Sequence, residues 1–317
     1  MNFIRNRNFS AGPQTSLEGF ICPQNSDKQQ KIKVFGRSGG VKKYNDSPEV
    51  VAIVGSRALC RECQSLNFPN CHFFQLTSTG YDDIDLNVYK QKKITLCNAK
   101  KLYDECVAEY AVYMMLSYAK RYHRSLKNRT IRPLRNYHYM SELRGKTVGI
   151  LGVGNIGSIL ARILNGFSMD IIGYAEHTTE KTNFRCIYHR DRLDEFLSEC
   201  DFIINTLPET YGTIGLLGDE QFASMKPASV FVNVGRDSVY NLQSLVHYYK
   251  EHKDAVAILD IFELIPNPFS SLRRLSNVYI TPRISACSRE SDRALLKLIY
   301  DNISAYLNGK MLKNVLI

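Results

Sequence analysis

Apolar residues in this 317-residue chain fall in short blocks bounded by turn residues, alternating with stretches of helical spacing. In the first third, Lys31–Phe35, Val50–Gly55, Phe73–Leu76 and Ile94–Cys97 read as strands. Arg57–Leu66 reads as a helix, stopped near Asn67-Phe68-Pro69-Asn70. Asp104–Tyr122, frequent in Ala, Met, Leu and Tyr, reads as a long helix. Further strands are expected at Thr147–Leu151, Asp170–Tyr174, Phe202–Thr206, Val230–Asn233, Ala255–Asp260 and Asn277–Ile280. Helices are expected at Ile156–Leu164, Leu193–Ser198, Asp219–Ala223 and Leu242–Glu251, with a last one over 290–308. Blocks this uniformly apolar suit strands covered on both faces, as in a parallel sheet between helices. The pattern predicts an α/β protein: a doubly wound parallel sheet preceded by a smaller α/β domain. Residues 123–146 are basic and aperiodic and read as a surface loop.

The run Gly149-Ile150-Leu151-Gly152-Val153-Gly154-Asn155-Ile156-Gly157 gives this pattern a chemistry. Gly152, Gly154 and Gly157 form G-x-G-x-x-G between a strand and a helix. The first glycine permits the turn, the second admits a pyrophosphate, and the third lets helix and strand pack closely. Asn155 and Ile156 then open a helix whose free N–H groups meet the anion. A dinucleotide cofactor is the expected ligand. The position that normally carries a ribose-binding acid, at the end of the second strand, is Ala175, followed by Glu176 and His177. Glu176 on the ribose hydroxyls favours NAD. His177 and Lys181 beside a 2′-phosphate keep NADP open.

Composition narrows the classes. The formal charge of +10 suits anionic ligands, but no nucleic-acid motif accompanies it, and no apolar run is long enough to cross a membrane. Nine cysteines are too few for a disulfide scaffold and their number is odd, which points to a reducing, cytoplasmic setting. Cys60-x-x-Cys63 with Cys71-His72 superficially resembles a zinc set, but Cys71 and His72 would diverge in a strand, so no metal is expected. Residues 1–30 are polar, with Arg5 and Arg7 but no apolar core. They read as a loosely held arm rather than a secretory leader, with a short organelle presequence left open.

Several ordered segments resemble the D-isomer-specific 2-hydroxyacid dehydrogenase family over roughly residues 50–310. These are Ser78-Thr79-Gly80-Tyr81-Asp82, Cys106-Val107-Ala108-Glu109-Tyr110, the glycine run, Asn205-Thr206-Leu207-Pro208, Asn233-Val234-Gly235-Arg236, Leu259-Asp260-Ile261-Phe262 and Thr281-Pro282-Arg283. The resemblance implies a cofactor domain over 105–283, inserted in a smaller flavodoxin-like domain made of 1–104 and 284–317. It also implies an active site in the cleft between them and a homodimer. Only about 15 residues separate Phe35 from Val50, fewer than the family has, so the smaller domain is expected to lack an element or to draw on the N-terminal arm. Within the resemblance, Thr79 and Gly80 belong to the substrate loop. Thr206 and Pro208 line the adenine side, Val234 reaches the nicotinamide, and Asp260 holds its amide.

Reduction of a 2-keto acid needs a cation for the carboxylate, an acid to protonate the forming alcohol, and a partner to orient that acid. The family uses Arg, His and Glu. Arg236 matches the arginine. The histidine position is Arg283, and the glutamate position is Ile265, with Glu263 two residues away. An arginine stays protonated and cannot shuttle a proton in this role. Tyr103, Tyr211 and His177 are the neighbouring candidates for a replacement acid. Arg236 and Arg283 together suit a small, doubly anionic acid. Two functions remain open: an NAD(P)-dependent oxidoreductase with non-standard acid/base residues, or an inactive dinucleotide sensor or partner-binding protein on the same frame.

Overall fold

The computed structural model describes residues 33–34, 45–48, 50–122, 140–177, 180–260, 271–272 and 274–317. The arm over 1–30, most of the 123–146 segment, Glu263 and Ile265 lie outside the described residues. The chain forms two compact units, Met1–Leu102 with Arg289–Ile317, and Tyr103–Ser288.

The smaller unit carries a parallel sheet of β1 (Lys33–Val34), β2 (Ala52–Gly55), β3 (Phe73–Leu76) and β4 (Thr95–Cys97), in that order. All residues of β2 and β3 are buried, as their unbroken apolar blocks require. Two helices connect the strands: α1 (Arg57–Cys63), capped by the Ser56 hydroxyl, and α2 (Leu86–Gln91), capped by Asp85. Helix α1 ends three residues before its expected limit, where the chain turns at Gln64. Helix α2 was not anticipated, because six residues are too few to show a period.

The larger unit opens with α3 (Asp104–Ala119), whose Val107, Ala108, Ala111, Val112, Met115 and Ala119 share one buried face. Its sheet contains β5 (Thr147–Leu151), β6 (Asp170–Ala175), β7 (Cys186–His189), β8 (Phe202–Asn205), β9 (Val230–Asn233), β10 (Val256–Leu259) and β11 (Val278–Ile280). All seven strands are parallel, in the order β11-β10-β9-β8-β5-β6-β7. Helices α4 (Asn155–Asn165), α5 (Leu193–Glu199), α6 (Asp219–Ala223) and α7 (Leu242–Glu251) connect them. The expected second-unit strands are present, with limits moved by one residue at β6, β8, β10 and β11. Strand β7 is additional: it forms the sheet edge and is only partly buried, so its apolar signal is weak. This is the doubly wound order, and it reverses direction between β5 and β8.

The final helix, α8 (Arg289–Leu307), closes the smaller unit. Ile299 and Ile303 pack on Ala52, Val54, Phe73 and Cys97. Buried Asn302 donates to Gln75 Oε1 at 2.7 Å and to the Lys313 carbonyl at 3.0 Å. Leu316 N–H then bonds Leu96 O at 2.8 Å.

Candidate active site

The strand-order reversal opens the carboxyl ends of β5 and β8, and the glycine run occupies that point. Gly152 has φ +96°, a conformation that L side chains rarely adopt. A Cβ on Gly157 would lie 2.1 Å from the Gly152 carbonyl oxygen, so the helix can approach the turn only without a side chain there. Gly154 caps α4, and a Cβ there would meet nothing within 4 Å. Gly154 and Asn155 are exposed, and Ile156 is partly so. The start of an eleven-residue helix thus faces open space with its first N–H groups unhindered, which fits a pyrophosphate. Thr206, just past β8, locks the turn by donating to Leu151 O at 3.0 Å and Gly152 O at 2.9 Å. Pro208 follows on the exposed continuation of this loop.

Past β6, exposed Glu176 lies 3.6 Å from the Arg190 guanidinium. His177 is exposed beside it, and Lys181 donates to the Val153 carbonyl inside the glycine run. An acid suited to a ribose diol and cations suited to a phosphate therefore share one rim.

The loop after β9 carries Val234, which is buried, and Arg236, which is half-buried and donates through Nη1 to Gly235 O at 2.9 Å. The loop after β10 begins at Asp260, fully buried. Its Oδ1 accepts from Thr281 Oγ1 at 2.6 Å and Ile284 N at 2.9 Å, and its Oδ2 accepts from Ser285 N at 2.9 Å. Since Thr281 spends its hydroxyl hydrogen on Asp260, the Tyr110 hydroxyl, 2.5 Å away, is the donor to Thr281. Burial pushes the Tyr110 phenol well up, so it holds its proton. Arg283, in the middle of this pinned segment, is exposed with φ +56°.

Of the remaining candidates for an acid, Tyr211 is fully exposed and Tyr103 stands at the N-cap of α3. In the smaller unit, Thr79 Oγ1 donates to Ala99 O at 3.0 Å, Asn98 Nδ2 to Thr79 O at 2.8 Å, and Ser78 Oγ to Gly80 O at 3.0 Å. The loop holding Thr79 and Gly80 is thereby fixed at the end of β3. Cys60, Cys63 and Cys71 are buried, whereas His72 is exposed. No group of three or more metal-ligating side chains occurs among the described residues.

The sequence places Asn205 in a resembling segment without giving it a role. This fully buried amide stands opposite Asn233 in the β8–β9 register and donates to its Oδ1 at 2.7 Å. The signal available was a polar residue closing an otherwise apolar strand.

The strand order and the glycine turn together define a Rossmann-type dinucleotide-binding protein. A family model for the D-isomer specific 2-hydroxyacid dehydrogenase, NAD binding domain, matches residues 111–285. The chain is 34% identical over 243 residues to a glyoxylate/hydroxypyruvate reductase B of Enterobacter agglomerans, covering 75% of each chain. It is 30% identical over 253 residues to a glyoxylate reductase of Pyrococcus furiosus, covering 77% of this chain and 75% of that one. Among solved structures, it is similar to an NADPH-dependent glyoxylate/hydroxypyruvate reductase of Sinorhizobium meliloti in complex with citrate. That match has a TM-score of 0.74 and 25% identity, over 86% of each chain. The chain belongs to the D-isomer-specific 2-hydroxyacid dehydrogenase family and is an NAD(P)-dependent oxidoreductase of that type.

Proposed function

We propose that this enzyme acts on a small 2-keto or 2-hydroxy acid bearing a second negative group, with Arg236 as carboxylate anchor and Arg283 as an additional cation. Thr79 and Gly80 are assigned to the substrate loop. Val234 is assigned to the nicotinamide, and Thr206 with Pro208 to the adenine side. Asp260 is assigned to the cofactor amide by motif alone; in the structure its carboxylate is buried and holds residues 281–285. The observation that supports the reading is the Thr281-Pro282-Arg283 segment pinned by Asp260, in which Arg283 stands at the motif position of the family's acid. A guanidinium's planar fork binds a carboxylate in two places and cannot give up its proton. A nicotinamide held beside Val234 and Asp260 would supply the hydride. The residues of this chain bind and orient the acid.

The same reading includes NAD as the preferred cofactor, because Glu176 suits a ribose diol and repels a 2′-phosphate. Family resemblance supports a homodimer. The eight described cysteines are all free thiols, which supports a cytoplasmic location. No helix among the described residues is long and apolar enough to cross a membrane.

The relatives are named for glyoxylate and hydroxypyruvate, so a screen by NADH and NADPH absorbance begins there and extends to dicarboxylic keto acids. Dicarboxylic acids should be turned over best, and Arg236→Ala should abolish turnover. An Arg236→Ala variant as active as the parent would refute the anchor.

A further inference from the structure

We infer that Asn205 is a positioning residue for Arg236, acting through the second hydrogen of its side-chain amide. The inference rests on the carboxylate role of Arg236 proposed above. The amide is fully buried, and its polar atoms reach both loops that follow β8 and β9. Its Oδ1 accepts the Leu207 N–H at 3.1 Å, fixing the loop of Thr206 and Pro208. Its Nδ2 has two hydrogens and two acceptors: Asn233 Oδ1 at 2.7 Å and the Arg236 carbonyl at 3.3 Å. Asn233 Oδ1 also takes the Gly235 N–H at 3.1 Å. The turn carrying Arg236 is thus held from both ends by one pair of side chains.

The turn lies close over this amide. A Cβ on Gly235 would fall 2.8 Å from Asn205 Nδ2 and 2.8 Å from Leu207 O. An arginine side chain is long and flexible, and its aim depends on where its backbone begins. Fixing the Arg236 carbonyl sets that starting point, and buried amide bonds of this kind are costly to leave unmade.

Donor and acceptor roles in the pair are unequal, and this makes the inference testable. Asn205 must donate twice, which a carboxylate cannot do. Asn233 serves this turn as an acceptor, which a carboxylate can do. Asn205→Asp and Asn233→Asp add the same charge at neighbouring positions with nearly the same shape; Asn233→Asp also disturbs the bond between Asn233 and the Tyr240 hydroxyl, so a larger oxalate loss in Asn205→Asp is assigned to the two donors of Asn205.

The experiment titrates oxalate into NADH-saturated protein by nucleotide fluorescence, with NADH affinity and melting temperature measured on each variant. Asn205→Asp should bind oxalate at least ~10-fold more weakly than Asn233→Asp, the size expected when a buried hydrogen bond is lost. NADH affinity should stay within ~3-fold in both. Asn205→Leu, which adds no buried charge, covers the case in which Asn205→Asp fails to fold; it should lose oxalate at least as strongly, with some loss of NADH affinity as well, because it also frees the Leu207 N–H. Equal oxalate affinity in the two Asp variants, or in Asn205→Leu and the parent, overturns the inference when Arg236→Ala has lost oxalate. Oxalate binding unchanged in Arg236→Ala instead overturns the anchor, and the inference falls with it.

Discussion

Thr281 gives its hydroxyl hydrogen to Asp260 Oδ1 at 2.6 Å, and two residues later the backbone at Arg283 turns to φ +56°. The main chain of this segment is held by Asp260, which accepts the Ile284 and Ser285 N–H groups. A replacement at 283 should therefore leave the segment in place. Histidine tolerates this left-handed region better than most side chains.

On that basis, Arg283→His combined with Ile265→Glu should raise glyoxylate or pyruvate reduction by at least ~10-fold over the parent. General acid catalysis is typically worth ~10²–10⁴ in rate. The single Arg283→His should gain less, because nothing would fix its tautomer. Steady-state kcat/KM for the parent, both singles and the double decides it. A parent already at ~1–10³ s⁻¹ on these acids would show that another group protonates the product.

The last two glycines of the loop should fail in different ways. Gly154→Asp places a carboxylate before the α4 N-terminus in open space, so NADH binding should vanish while the melting temperature holds. Gly157→Ala drives a Cβ towards the Gly152 carbonyl, a clash of the kind that costs ~1–3 kcal/mol or more. Its melting temperature should drop by several degrees. Calorimetry with and without NADH separates the two.

Cofactor choice should turn on Glu176. Removing it as Glu176→Ala leaves Arg190, formerly 3.6 Å from the carboxylate, beside His177 and Lys181. The ratio of NADPH to NADH affinity should rise at least ~10-fold, about 1.4 kcal/mol. Titration of both nucleotides into parent and variant checks this. An unchanged ratio would place the ribose elsewhere.

Stability should decline in alkali. Burial pushes the Cys71 thiol up to about 11, and those of Cys60 and Cys97 up to about 12, from an ordinary value of 9. Above pH 9 the unfolded chain releases these protons while the folded chain keeps them, so unfolding gains as pH rises. The stabilisation is complete below that value and is lost up to the folded values, at about 1.4 kcal/mol per pH unit for each thiol. Melting temperature should be flat near neutrality and fall above pH 9. Cys97→Ala should lessen the slope.

Particular residues show what a single sequence discloses. Phe73–Leu76, Thr147–Leu151 and Val230–Asn233 were legible to the residue, because a strand buried on both faces leaves an apolar block with polar limits. Gly152 and Gly157 were legible because turn and packing both demand them locally. Strand β7 was hidden by its place at the sheet edge, where Cys186, Ile187 and His189 are only half-buried. The Asn205–Asn233 pair was hidden for another reason. It depends on the register of two strands 28 residues apart, which no local spacing encodes.

The bond from Asn302 to Gln75 spans 227 positions of the chain. During synthesis, β3 emerges long before α8, and its core partners Ile299 and Ile303 arrive only after the whole dinucleotide-binding unit has been made. The larger unit can fold while the smaller one still waits for its cover. Loop closure over so long a segment is slow relative to local helix formation. Emergence of α8 would thus be the step that completes the smaller unit, and a chain stalled before residue 289 would expose the apolar face of β2 and β3 while already able to hold a nucleotide.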